Sequence, residues 1–62
     1  MKTLGLIGAG NMGEALIAAT RKAYKILVCE ANETRQKYLK SKYKISAVDL
    51  KTLVVKSNVI VL

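Results

Sequence analysis

Gly8-Ala9-Gly10-Asn11-Met12-Gly13 sets three glycines at G-x-G-x-x-G spacing. A loop of this kind holds a diphosphate with backbone rather than with charged side chains. Gly8 is expected to let the chain turn tightly off a preceding strand, where a Cβ would clash. Gly10 lets the backbone approach a pyrophosphate closely, and Gly13 lets the following helix pack near the sheet. The unpaired N–H groups at that helix start, with the positive end of its dipole, then face the phosphates. Ile7, Gly8, Ala9, Gly10, Asn11, Met12 and Gly13 are therefore the candidate phosphate-binding residues. The spacing alone is a weak signal. A strand before it, a helix after it and an acidic residue about 20 positions on make it a dinucleotide fingerprint. All three contexts are present: the apolar run Leu4-Gly5-Leu6-Ile7, an alanine-rich helical pattern from Glu14, and Glu30 at the end of the next apolar run. The Glu30 carboxylate would accept hydrogen bonds from a ribose diol and oppose a 2′-phosphate. Arg35 could swing toward such a phosphate, although a solvated helix residue is its simpler reading. The expected cofactor is NADPH or NADH.

The elements that must hold this loop follow from the apolar period. Residues 3–7 read as a short buried strand. Residues 11–22 read as a helix, with Met12, Ala15, Leu16 and Ala19 at helical spacing and expected to face the sheet. Residues 25–30 are a second, near-continuously apolar strand, as in a parallel sheet covered on both faces. Asn32 is the expected N-cap of a second helix over 33–42, with Tyr38 and Leu39 as its apolar contacts. A short strand over 44–47 follows, then a third helix capped by Asp49 with Leu50, Leu53 and Val54 on one face. Residues 58–62 form a last apolar strand. The order βαβαβαβ predicts a Rossmann-like α/β fold: an open parallel sheet with right-handed crossovers and strand order 3-2-1-4. A ligand belongs outside the carboxyl ends of the first and fourth strands, where the order switches.

Composition bounds the rest. Sixty-two residues permit one small domain. Cys29 is the only cysteine and no histidine is present, so disulfides are excluded and a metal site is not expected. A lone cysteine inside Ile26-Leu27-Val28-Cys29 reads as a small core residue and fits a reducing, cytoplasmic setting. Asn11 and Glu14 interrupt what would otherwise imitate a secretory leader, and no apolar run is long enough to span a membrane. The net charge of +7 is spread along helix faces without a recognition motif or aromatic platform, so nucleic acid is not an expected partner.

The string MKTLGLIGAGNMGEALI resembles the N-terminus of the pyrroline-5-carboxylate reductase family, through Asn11, Met12, Gly13, Glu14 and Ala15 after the first two glycines. The likeness continues more weakly through SKYKIS and SNVIVL. It implies reduction of 1-pyrroline-5-carboxylate to proline, in proline biosynthesis, with hydride passing from the nicotinamide to the ring C=N carbon. It also implies a C-terminal helical domain supplying the pocket for the small imino acid and the interface of a homo-oligomer. Residues 1–62 would then be the N-terminal, cofactor-binding part of a longer chain, which alone is expected to be inert. No catalytic residue is assigned within it.

Three positions depart from the family pattern. Glu30 stands where many members carry a small or basic residue, which favours NADH. Leu50 stands where many have a cofactor-contacting asparagine. The usual glycine between the first helix and second strand is missing from Arg21-Lys22-Ala23-Tyr24-Lys25. Three alternatives therefore stay open: another dehydrogenase of the 3-hydroxyisobutyrate or 6-phosphogluconate type, a dinucleotide-binding module without chemistry, and a structural piece that binds nothing.

Overall fold

The computed structural model describes residues 1–8 and 10–62. Four strands and three helices alternate: β1 (Lys2–Ile7), α1 (Asn11–Thr20), β2 (Tyr24–Cys29), α2 (Glu33–Tyr43), β3 (Ser46–Ala47), α3 (Leu50–Lys56) and β4 (Val59–Val61). All strand pairings are parallel and the spatial order is β3-β2-β1-β4. This is a Rossmann-like parallel sheet, with the order switching between β1 and β4.

The register sets the two faces. Leu4 stands beside Ile26 and Val59, and Leu6 beside Val28 and Val61. Successive side chains on a strand alternate in direction, so these residues share one face. That face holds the main core: Leu4, Leu6, Ile26 and Val28 pack with Ile17 of α1 and Leu39 of α2. On the opposite face Gly5 stands beside Leu27 and Ile60, and α3 covers it through the fully buried Leu53.

Gly5 is what lets α3 come so close. A Cβ there would lie 2.3 Å from Ser57 Oγ and 2.6 Å from Leu53 Cδ2. No real Cβ tolerates those distances, so any larger residue would push α3 off the sheet. Immediately before β4, Asn58 fixes the register. Its N–H donates to the Thr3 carbonyl at 2.8 Å, and its Oδ1 accepts from the Thr3 N–H at 2.8 Å.

Helix α1 is rotated from the expected orientation. Met12 is 88% exposed, and Ala15 and Ala19 are exposed as well. The inward stripe is Gly13, Leu16, Ile17 and Thr20, with Ile17 fully buried. Ile17 is the largest branched side chain near the middle of this helix, and burying it outweighs burying three smaller or terminal positions. The Thr20 hydroxyl tolerates partial burial because it donates to the Leu16 carbonyl at 2.7 Å. In α3 only Leu53 is buried, whereas Leu50 and Val54 are each 51% exposed rather than lying against the sheet. Cys29 is half-buried, not a core residue. It closes β2 at the rim where Glu30 begins. No helix among the described residues is long and apolar enough to cross a membrane.

Candidate dinucleotide site

The carboxyl ends of β1, β2 and β4 meet at one rim, and the glycine loop leaves β1 there. Gly8 has φ +80°, a left-handed conformation that favours glycine. A Cβ at Gly8 would meet no heavy atom within 4 Å, so the turn needs glycine for its dihedral and not, as expected, to avoid a clash. The Gly8 N–H donates to the Cys29 carbonyl at 2.9 Å, tying the loop to β2. Ile7, half-buried, is the last residue of β1 and pairs with Cys29. Ala9 lies outside the described residues.

Gly10 differs from Gly8. Its φ is −75° and ψ −160°, extended backbone that any residue can adopt, and a Cβ there would also meet nothing within 4 Å. Neither strain nor packing of the chain calls for glycine at this position. What a side chain would occupy is the open space in front of the loop, where a pyrophosphate would approach.

Gly10 is also the N-cap of α1, and it offers no side-chain hydrogen bond. Its carbonyl accepts from the Glu14 N–H at 2.9 Å, closing the first turn. The N–H groups of Asn11, Met12 and Gly13 precede that bond and have no partner within the helix. The other helices end differently. Asn32 accepts from the Arg35 N–H at 2.9 Å, and Asp49 accepts from the Thr52 N–H at 2.7 Å. Hydrogen bonds from the Thr52 side chain and then from its backbone N–H hold the Asp49 carboxyl below its ordinary range.

Two hollows open at the carboxyl ends of the strands. Leu6, Gly8, Met12, Leu16, Val61 and Leu62 enclose an apolar one of about 460 Å³ at the switch between β1 and β4. The other, of about 480 Å³, lies between the ends of β2 and β3 and is lined by Cys29, Glu30, Ala31, Gln36, Val48 and Asp49. Glu30 is half-buried at its edge. Its Oε2 accepts from the Asn32 N–H at 2.9 Å, and its carbonyl accepts from Gln36 Nε2. The turn into α2 therefore holds the carboxylate at the edge of this hollow.

Arg35 is not the solvated helix residue that was the simpler reading. Its Nη2 donates to Glu14 Oε1 at 2.9 Å and to the Gly10 carbonyl at 3.3 Å. Glu14 in turn accepts from Tyr38 Oη at 2.8 Å, Tyr43 Oη at 2.8 Å and Lys42 Nζ at 3.0 Å. The bonds from Tyr38, then Tyr43, Lys42 and Arg35, hold its carboxyl at about 2. The same cluster raises Lys42 and Tyr43 above their ordinary values, chiefly through Tyr38 and Glu14 respectively. Tyr38, expected as an apolar contact, instead points its hydroxyl at this carboxylate and stays 40% exposed. Sequence reasoning missed Glu14 as a node. Its only local signal is an acidic residue in the first turn of α1, which a helix dipole would favour anyway.

The structure thus brings Ile7, Gly8, Gly10, Asn11, Met12, Gly13, Glu30 and Arg35 to one rim. Met12 points away from the sheet and over the apolar hollow. No group of three or more potential metal ligands occurs among the described residues. No curated protein and no solved structure gives a significant match to the chain. Residues 3–62 match the family described as NADP oxidoreductase, coenzyme F420-dependent; the chain belongs to that family and is a dinucleotide-binding domain of NAD(P)-dependent oxidoreductase type.

Proposed function

We propose that this chain is the cofactor-binding part of an NAD(P)H-dependent reductase, of the pyrroline-5-carboxylate reductase kind. The observation that carries the cofactor half is the N-terminus of α1 at Gly10, which has no side-chain cap and opens on space where, among the described residues, a Cβ would meet nothing within 4 Å. Its backbone donors suit a diphosphate, and Glu30 suits the diol of the adenosine ribose. The hollow between β2 and β3 suits the adenine end, and the apolar hollow at Met12 and Val61 suits the nicotinamide end. A nicotinamide dinucleotide, when bound, supplies hydride chemistry. The chain's own contribution is to grip the diphosphate, orient the ribose and shield one side of the nicotinamide from water.

The choice of reductase rests on the GAGNMGEAL string together with the family match. A small cyclic imine would receive the hydride at its C=N carbon while the nitrogen takes a proton. None of the residues at this rim is placed as the donor of that proton, so no catalytic residue is proposed. The substrate pocket and a homo-oligomeric interface belong, in this reading, to a helical domain beyond these residues.

Two measurements test the two halves separately. Titration of the 62-residue protein with NADH and NADPH should give saturable binding; absence of binding to either would refute the cofactor site. A longer protein from the same gene should reduce 1-pyrroline-5-carboxylate with the bound nucleotide. Activity only on 3-hydroxy acids would move the assignment to the dehydrogenase alternative.

A further inference from the structure

Among the described residues, the side-chain donors to the Glu14 carboxylate come from one stripe of α2: Arg35, Tyr38, Lys42 and Tyr43. Glu14 itself sits one turn into α1, directly behind Gly10. Arg35 touches both ends of this arrangement, since one nitrogen bonds the carboxylate and the loop carbonyl. Its guanidinium also lies 5.0 Å from the centre of the Tyr38 ring, which packs against one side of it. Arg35 is thus a tethered cation at the edge of the glycine loop, and its backbone is tied to Glu30 through Asn32. A guanidinium is the group best suited to a ribose phosphate, because it presents several donors in a fixed plane. To turn fully toward one, Arg35 would have to leave Glu14.

We infer that Glu14 is a positioning residue that sets cofactor choice by holding Arg35 on the phosphate loop and away from the ribose 2′ position. The inference rests on the dinucleotide reading given above. In this arrangement Arg35 lends its charge to the diphosphate, which NADH and NADPH share. Glu30 then decides at the ribose, favouring the free diol. The carboxylate of Glu14 stays ionised at every pH at which the protein would work, so the tether is permanent rather than switched. Lys42 and the two tyrosines keep Glu14 in place whether or not Arg35 is bound to it.

Removing the charge on Glu14 while keeping its shape should release Arg35. In Glu14→Gln the ratio of NADPH to NADH affinity is expected to rise about fivefold, the scale of one partly exposed ion pair. A general loosening of the α1–α2 contact would lower both affinities and leave the ratio unchanged. The rise must vanish in Glu14→Gln/Arg35→Ala, because Arg35 delivers it. Arg35→Ala alone provides a second reading that does not depend on how well Glu14→Gln folds. It should weaken both cofactors alike and shift the ratio less than twofold. Fluorescence titration of reduced nucleotide against each variant, with circular dichroism to confirm the fold, gives all of these values. An unchanged or lowered ratio in Glu14→Gln, or a selective loss of NADPH in Arg35→Ala, would overturn the role of Glu14 while leaving the binding site standing. Failure of the unaltered protein to bind either nucleotide would overturn both.

Discussion

The N-termini of α1 and α3 meet the same physical demand in opposite ways. Each begins with backbone N–H groups that the helix cannot satisfy. At α3 the Asp49 side chain turns back and accepts from the Thr52 N–H at 2.7 Å. At α1 the capping position is Gly10, with no side chain to turn back. A glycine there sacrifices a few tenths of a kcal/mol relative to a good cap, and the dihedral at Gly10 does not call for one. An uncapped, unstrained, open helix start is a place where the chain leaves its donors for something else. Helix α2, capped by Asn32 but carrying Arg35 across to the loop, stands between the two cases.

The largest effect should come from making α1 resemble α3. Gly10→Asp supplies a capping carboxylate where only a hydrogen stands, in backbone geometry that accepts it. Dinucleotide affinity is expected to fall by at least about 100-fold, since the new carboxylate takes the donors and repels the phosphates. Thermal stability should hold or rise slightly. Gly10→Val should lose affinity to a similar extent by bulk alone, again with the fold intact by circular dichroism. A large drop in melting temperature for either variant would mean that Gly10 serves the fold.

The reverse change, stripping a cap, should separate stability from binding. Asp49→Ala is expected to cost about 1 kcal/mol. In a domain of this size that lowers the melting temperature by roughly 4–8 °C. Asp49 also borders the hollow assigned to the adenine end, so cofactor affinity of the folded protein should change, but far less than in Gly10→Asp. A loss of affinity as large as that of Gly10→Asp would erase the distinction between the two helix starts.

How much of this is legible in the sequence depends on the reach of each interaction. The loop, both side-chain caps and the strand order follow from local signals: glycine spacing, Asn32 and Asp49 before helical runs, and alternation of strand with helix. The buried stripe of α1 is not, because Met12-Ala15-Leu16-Ala19 and Gly13-Leu16-Ile17-Thr20 share one period and differ by a rotation of one residue. Only the packing of Ile17 against β1 and β2 selects between them. Gly5 looks like any weak residue in an apolar run until α3 is laid across it. The Glu14 cluster is the least legible, since its partners lie 21 to 29 residues away. Its geometry exists only once α2 has docked on α1.

Smaller effects sharpen the contrast at the ribose. Glu30→Ser removes the carboxylate at the edge of the hollow between β2 and β3, and should raise NADPH affinity relative to NADH by about threefold. A strong preference of the unaltered protein for binding NADPH would show instead that Glu30 does not read the ribose.

The last effect is on the pH dependence of stability. Hydrogen bonds from Tyr38, Tyr43, Lys42 and Arg35 hold the Glu14 carboxyl well below its usual 4.5, at about 2. A carboxyl depressed on folding stabilises fully above its unfolded value and loses that contribution as pH falls through its folded one. Denaturant melts between pH 5 and 2 should show stability declining across this window, and Glu14→Gln should flatten the decline. Parallel curves for the two proteins would mean that the cluster on α2 does not hold Glu14 as described.

The most direct test watches the two helix starts at once. In ¹⁵N–¹H correlation spectra recorded during titration with NADH, the amides of Gly10, Asn11, Met12 and Gly13 should move progressively and saturate together. The Thr52 amide, already committed to Asp49, should stay where it is. Saturable binding that leaves residues 10–13 unmoved would contradict the central claim that α1 keeps its N-terminus open for the dinucleotide.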